Sequence, residues 1–290
     1  MRLKLATLAL AALLPVTASA GNNVDLAFYL GQSFPGYSQT FTYNPGPVSV
    51  PIPGLIINQS GGFTFEGSGG LVVGGGITLY FGGIVGIEGR YDTVRVGVDV
   101  TAPSYDVSVT LPGIPTPVTA SLDLGEGSVD ITALKPWSLN LKLRTPGSVR
   151  FFVSGGVSRL PSFEFTLDQR IGLGVTGINV ITRQATISSV GISGALTPVG
   201  NKDAPNVEGG SRWGGNLGGG LQFSLGKNVT LLAEARYFYF PSQEFEWSVD
   251  TDRTLTSIEQ ALLDATLSRV PLVEFKPQFF QVTGGITLSF

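Results

Sequence analysis

Phe279-Phe280-Gln281-Val282-Thr283-Gly284-Gly285-Ile286-Thr287-Leu288-Ser289-Phe290 is the stretch that decides the fold. Phe280, Val282, Ile286, Leu288 and Phe290 share one phase of a period of two, and Gln281, Thr283, Thr287 and Ser289 share the other. Successive side chains on a strand point to opposite faces, so this reads as a strand with one apolar and one polar side. Its length suits a tilted strand crossing a bilayer, which takes roughly 9–11 residues.

The same pattern recurs upstream. Leu217, Leu221, Phe223 and Leu225 lead into Gly226-Lys227-Asn228; Val229, Leu231, Ala233, Ala235, Tyr237 and Tyr239 then oppose Thr230, Glu234 and Arg236. Further back, Leu139, Leu141 and Leu143 oppose Asn140, Lys142 and Arg144. Thr145-Pro146-Gly147-Ser148 is a turn, because Pro fixes φ and Gly supplies a positive one. After it, Val149, Phe151, Val153 and Val157 oppose Arg150, Ser154 and Ser158. Leu71, Val73, Ile77 and Leu79 pass through Phe81-Gly82-Gly83 into a segment with Val85, Ile87, Gly89 and Tyr91 on one face and Gly86, Glu88, Arg90 and Asp92 on the other. The first alternation is Val24, Leu26, Phe28 and Leu30, which Gly31 is expected to end. Aromatic residues (Phe28, Tyr91, Phe151 and Phe152, Tyr237 to Phe240) stand where strands would cross a membrane interface.

These segments make eight strands, with short turns after the second, fourth and sixth and long segments after the odd-numbered ones. Short periplasmic turns and long outer loops are the arrangement of outer-membrane barrels. The expected fold is all-β, a transmembrane antiparallel up-and-down β-barrel of eight strands with long extracellular loops. Further alternations in 92–137 (Val94 to Val100, Val107, Val109, Val118 to Leu124) and 160–213 (Ile178 to Ile187) leave ten or twelve strands open. Pro103, Pro112, Pro115 and Pro117 favour hairpins protruding above the bilayer, since proline removes a ladder donor. The stretch from Gly31 to about Ser68 reads as irregular and rich in Gly, Pro and Ser. In the last long segment, Thr256-Ser257-Ile258-Glu259 fits a capping box, and Ile258, Leu262, Leu263 and Ala265 give a helical stripe ending near Arg269. That helix is expected to cover the barrel mouth or dock on its rim.

Composition agrees with apolar surface hidden in alternation. Charged residues are 13%, against roughly 25% in ordinary globular domains. There are 40 Gly and 18 Pro, mean hydropathy is +0.27, and no apolar run reaches transmembrane-helix length. Residues 1–20, with Arg2 and Lys4, the apolar Leu5 to Leu14 and Ala18-Ser19-Ala20, read as a signal peptide, leaving 21–290 as the barrel domain. With no Cys and no His there is no disulfide, lipid-anchoring Cys or thiolate metal site. The net charge of −3 carries no nucleic-acid footprint.

Ala18-Ser19-Ala20, the opening Phe28-Tyr29-Leu30-Gly31, three turn-linked hairpins and the closing 281–290 strand together resemble the small outer-membrane barrels of the OmpA/OmpX and OmpW type. The resemblance implies a place in the bacterial outer membrane, surrounded by its lipid; the chain is expected to be a monomer and, ending at Phe290, to lack the periplasmic domain of full-length OmpA-like proteins. The resemblance also implies that Phe280, Val282, Ile286, Leu288 and Phe290 form the C-terminal signal read by the barrel-assembly machinery. Enzymes among such barrels use His beside Ser or Asp, and this chain has no His.

The informative polar set is therefore internal: Glu88, Arg90, Asp92, Lys142, Arg144, Arg150, Glu234 and Arg236. Charges of both signs inside an eight-stranded barrel must pair, because an unpaired buried charge is costly. A Glu88/Glu234 acid–base pair is less favoured than pairing with Arg90 and Arg236. Asp250/Asp252 and Asp203/Glu208 lack a calcium-loop register. Gly74-Gly75-Gly76 and Gly218-Gly219-Gly220 are not phosphate loops, and Asn228-Val229-Thr230 is a sequon at a periplasmic turn. No metal, cofactor or catalytic residue is expected. Two functions stay open: an envelope-structural or surface-interaction barrel with a salt-bridged, filled lumen and an unknown extracellular partner, or a narrow porin-like channel for small or hydrophobic solutes. Lumen-facing Gly74, Gly76, Gly218 and Gly220 would leave space for the channel.

Overall fold

A computed structural model describes residues 23–290 except 37, 50–55, 102–104, 112, 114–115, 123–125, 132, 164, 180, 199–210 and 268–271. The proposed signal peptide and Asp203/Glu208 lie outside the described residues. Strands are numbered along the chain. Eight of them, β1 (Asn23–Pro35), β4 (Leu71–Phe81), β5 (Val85–Val94), β10 (Trp137–Arg144), β11 (Val149–Leu160), β14 (Arg212–Ser224), β15 (Val229–Tyr239) and β18 (Phe279–Ser289), form a closed barrel. Every neighbouring pair is antiparallel, and closure comes from β1 lying between β18 and β4, with Phe28 opposite Ile286 on one side and Gly75 on the other. Closure leaves no sheet edge inside a membrane, where an unpaired backbone group has no water to bond.

The eight strands are the eight expected ones, and the short turns fall where glycine permits them: Gly82, Gly83 and Gly147 all have positive φ. Gly31 does not end β1. It pairs with Thr283 and Val72, and the strand runs on to Pro35. A Cβ at Gly31 would collide with the Val282 carbonyl, so glycine here serves close backbone approach and not termination.

The other ten strands continue the wall on the long-loop side. They are β2 (Ser38–Ser49), β3 (Ile56–Ser68), β6 (Gly97–Thr101), β7 (Tyr105–Thr110), β8 (Val118–Leu122), β9 (Glu126–Ile131), β12 (Phe165–Asn179), β13 (Gln184–Pro198), β16 (Gln243–Thr251) and β17 (Val273–Phe275). They pair in the order β12-β9-β6-β3-β7-β8-β13-β16-β17, with β2 on β3, as a second, ten-stranded sheet. None joins the barrel, so the count of ten or twelve membrane strands is set aside. The stretch read as irregular before Ser68 holds the β2–β3 hairpin. Ile178 to Ile187 is not one strand: Ile178 and Asn179 end β12, Gln184 to Ile187 begin β13, and at the turn between them the Asn179 side chain accepts bonds from the Ile181 and Thr182 amides.

One helix, α1 (Ser257–Leu267), stands among the described residues. Its capping box forms as expected: the Glu259 amide donates to Thr256 Oγ1 at 3.3 Å, and the Thr256 amide donates to Glu259 Oε2 at 2.9 Å. Leu262 and Leu263 are buried, and Leu263 packs with Leu173 of β12 and Val190 and Ile192 of β13. The helix thus docks on the outer sheet and not on the barrel rim, because the apolar partners of its stripe are on that hairpin. Glu259 anchors it further, through Arg253 at 2.7 Å and the Ser188 hydroxyl at 3.1 Å.

The Arg253 guanidinium, with the Thr256 amide, holds the Glu259 carboxyl well below the usual carboxylate range. A depressed folded-state value means the anchoring is complete above the ordinary pKa of about 4.3 and fades only as acid titrates through the lower folded value. Glu259→Gln is expected to speed amide exchange across 257–267 at pH 7 by about fivefold, the size of one lost cap. Wild type should approach that rate only in strong acid; exchange unchanged by the substitution would refute the anchor.

Candidate functional site

The two faces of the barrel have opposite chemistry. Outward positions carry Leu26, Phe28 and Leu30 on β1, Ile87 on β5, Leu139, Leu141 and Leu143 on β10, Val153 on β11, Leu217 on β14, Leu231 on β15 and Val282 and Ile286 on β18. Leu217 is 63% exposed and Leu141 54% exposed, whereas Arg236 on the inward face is 1% exposed. Such an inversion is stable only against hydrocarbon, and a closed antiparallel barrel with an apolar belt is the form that spans bacterial outer membranes. Phe152, expected among the interface aromatics, is buried in the lumen instead. Its neighbour Phe151 takes the outward place, because β11 alternates without a bulge there.

Inside, the strand registers bring the charges together. On β5, Arg90 Nε lies 2.8 Å from Asp92 Oδ2, and its Nη1 lies 2.6 Å from Glu234 Oε2 of β15 across the lumen. Arg236 holds Glu234 Oε1 at 2.5 Å and reaches Glu88 Oε2 at 3.2 Å. Lys142 Nζ of β10 binds Glu88 Oε1 at 2.7 Å. Nearer the short-turn end, Arg144 Nη1 lies 2.7 Å from Asp25 Oδ2 and its Nε donates to the Gly83 carbonyl. All eight of these groups are buried, and four cations face four carboxylates.

Neutral side chains complete the layer. Asn140 Nδ2 donates to Glu88 at 3.0 Å, Asn216 Nδ2 donates to Asn140 Oδ1 at 2.8 Å and to Ser158 Oγ at 2.7 Å, and Arg236 donates to Ser154 Oγ and to Asn216 Oδ1. The Tyr29 hydroxyl donates to Asp92 Oδ1 at 2.8 Å while its ring lies under Arg90. Lys142 sits over Phe152 and Arg144 over Tyr80, so apolar faces of the lumen also bear on the cations. On the long-loop side, Val72, Val94, Leu134, Leu160, Phe238, Phe240 and Phe279 form a buried apolar layer. Phe238 stacks on Phe279 with centroids 4.8 Å apart.

Seven of the eight charges expected in the lumen therefore meet there, and Arg150 does not. It stands at the first turn of β11, and its Nε donates to the Gly147 carbonyl at 2.9 Å, so it is satisfied locally at the watery end. Asp25 is the eighth member. It lies in the polar phase of the first alternation, between Val24 and Leu26, and that phase is the signal that would have found it. The lumen glycines Gly74, Gly218 and Gly220 do not leave free space. A methyl at Gly74 would lie 2.5 Å from the Tyr29 ring, and one at Gly218 would lie 3.0 Å from Glu234 Oε1. Each is a niche for a side chain from a neighbouring strand. No group of acidic residues that could hold a metal ion occurs among the described residues.

No family model and no curated protein sequence matches the chain. Among solved structures, the chain is similar to the outer membrane protein OprG from Pseudomonas aeruginosa, at 12% identity over 93% of this chain and 96% of that one, with a TM-score of 0.40. The translocator domain of the autotransporter NalP from Neisseria meningitidis matches at 12% identity over 100% of this chain and 95% of that one, with a TM-score of 0.21.

Removing one partner from a buried ion pair leaves the other charge uncompensated. Glu88→Ala, which orphans Lys142 and Arg236, is expected to cost about 3–5 kcal/mol, read as a lower urea midpoint for the refolded barrel in micelles. Gly74→Ala should cost less, about 1–3 kcal/mol, because it overpacks one niche. A Glu88→Ala midpoint equal to wild type would show that these charges do not carry the interior.

Proposed function

We propose that the protein is a closed outer-membrane barrel whose lumen is a plug and whose activity lies in its outer sheet, as an envelope-structural or surface-interaction protein. The observation that carries this reading is the charge-balanced layer of Asp25, Glu88, Arg90, Asp92, Lys142, Arg144, Glu234 and Arg236, capped by the aromatic layer around Phe238 and Phe279. A pore for hydrated solutes needs mobile water along its axis, and these side chains occupy it. Ten strands and a helix beyond the membrane give the outer side the larger structured surface for a partner. Catalysis is not part of this reading. The chain has no His, and Glu88 and Glu234 are each held by two cations, which suits structure better than proton transfer.

A narrow channel is the second reading, and one observation favours it. Gln281, Thr283 and Thr287, buried on the inward face of β18, have side-chain polar atoms that bond no protein group. A thin hydrated seam along β18 would satisfy them. The opposite, outward face of β18 with the following Phe290 belongs to the C-terminal signal: Phe280, Val282, Ile286 and Phe290 are exposed, and Leu288 is half-buried beside them. We assign this outward row to recognition by the assembly machinery.

Planar-bilayer conductance separates the readings. Wild type is expected to be silent, while Glu88→Ala and Arg236→Ala open brief, small conductances. Steady wild-type conductance, blocked by candidate solutes, would replace the plug with a channel.

A further inference from the structure

The lipid-facing surface of the barrel strands carries a single charged side chain among the described residues, Arg159 at the long-loop end of β11. It is not isolated. Arg159 is in direct register with Trp137 of β10 on one side and Trp213 of β14 on the other, and Trp137 is in register with Tyr91 of β5. The two indoles meet edge to face with centroids 5.4 Å apart, and the Arg159 guanidinium stands 5.8 Å from the Trp213 ring. Its Nε donates to Ser211 Oγ at 2.8 Å, which fixes the fork and leaves both terminal nitrogens without a protein acceptor among the described residues. Lys135 lies two residues beyond Trp137 and Arg95 four beyond Tyr91, on the same face, both exposed and neither in an ion pair among the described residues.

The opposite side of the rim differs. There the outward aromatics are Tyr237, Tyr239, Phe280 and Phe34, and the charges above them include Glu244, in register with Glu274, and Lys276, which lies 4.0 Å from Glu274. Aromatic residues at both sides are ordinary membrane-interface anchors. Three cations without an ion pair among the described residues, over the aromatic row on one side only, are not.

We propose that the Tyr91–Trp137–Arg159–Trp213 row, with Lys135 and Arg95 above it, binds the phosphate of an anionic lipid headgroup in the outer leaflet. The assignment rests on the outer-membrane reading, which puts this row at the hydrocarbon edge. A guanidinium with two free nitrogens matches two phosphate oxygens. Lys135 and Arg95 add point charge, and the indoles lie along the first part of the lipid chains. A charge at this height is cheap to hold against lipid, costing about 0–1 kcal/mol near the interface.

The test uses the full barrel, refolded in micelles mixed with equal amounts of phosphatidylcholine and diphosphorylated lipid A, with retained lipid counted by native mass spectrometry. Wild type is expected to retain lipid A over phosphatidylcholine. Arg159→Gln should lose about fivefold of that preference, and the Arg159→Gln, Lys135→Gln, Arg95→Gln variant nearly all of it, since each cation near an anionic surface contributes about that factor. Lys276→Gln should leave it unchanged. Equal retention by wild type and the triple variant overturns the site, as does displacement of the lipid by millimolar inorganic phosphate, which would make the ligand a soluble anion. A protein with no heat-shifted folded band in any lipid fails at the membrane reading itself. A normal folded band with no lipid preference fails at the headgroup site alone.

Discussion

Everything in the barrel turns on two arginines that cross between walls. Arg90 leaves β5 for Glu234 on β15, and Arg236 leaves β15 for Glu88 on β5. These reciprocal reaches tie strands far apart in the chain and set which faces must point inward. Ions of this kind are costly to bury and attract each other only as well as their geometry allows. Here each oxygen of Glu88 and of Glu234 has a cation, and the remaining donors of Arg236 end on Asn216 and Ser154. The eight-charge layer is electrically neutral through its own side chains.

Packing follows from that commitment. Long side chains must lie across a narrow lumen, so the walls opposite them have to be bare. Gly74 admits Tyr29 and Gly218 admits Glu234. Glycine therefore does in this barrel what a cavity would otherwise do, and the tyrosine it admits turns its hydroxyl to Asp92 and its ring to Arg90. The aromatic layer of Phe238 and Phe279 then separates this polar interior from the outer sheet.

The barrel was legible in the sequence because a period of two is a strong signal when one face is lipid. Parity alone assigned Glu88, Arg90, Lys142 and Glu234 to the lumen, and it would have assigned Asp25 as well. Parity does not tell how far along its strand a charge lies, and so it placed Arg150 in the lumen although this second residue of β11 turns back to the Gly147 carbonyl at the strand end. It also treats every inward glycine as space, although what fills Gly74 comes from β1, an element remote from the Asp92 side of that niche. The outer sheet was harder to read. Its strands are short or broken, as at β6 and β7, and β2–β3 lies in a stretch where Gly and Pro are also loop residues. Helix α1 was found from its capping box, a local signal, whereas its dock on β12 and β13 depends on long-range packing that no local pattern carries.

If the crossing ion pairs hold the interior together, a double-mutant cycle on Arg90→Leu and Glu234→Leu reads that coupling without an intermediary. Reversible urea unfolding of the refolded barrel in lipid vesicles gives the four stabilities. Two strongly destabilised single variants are expected, with a double variant that recovers about 2 kcal/mol or more of their summed loss, the coupling of contacting charges. Losses that add to within about 0.5 kcal/mol, as distant independent sites do, would contradict it.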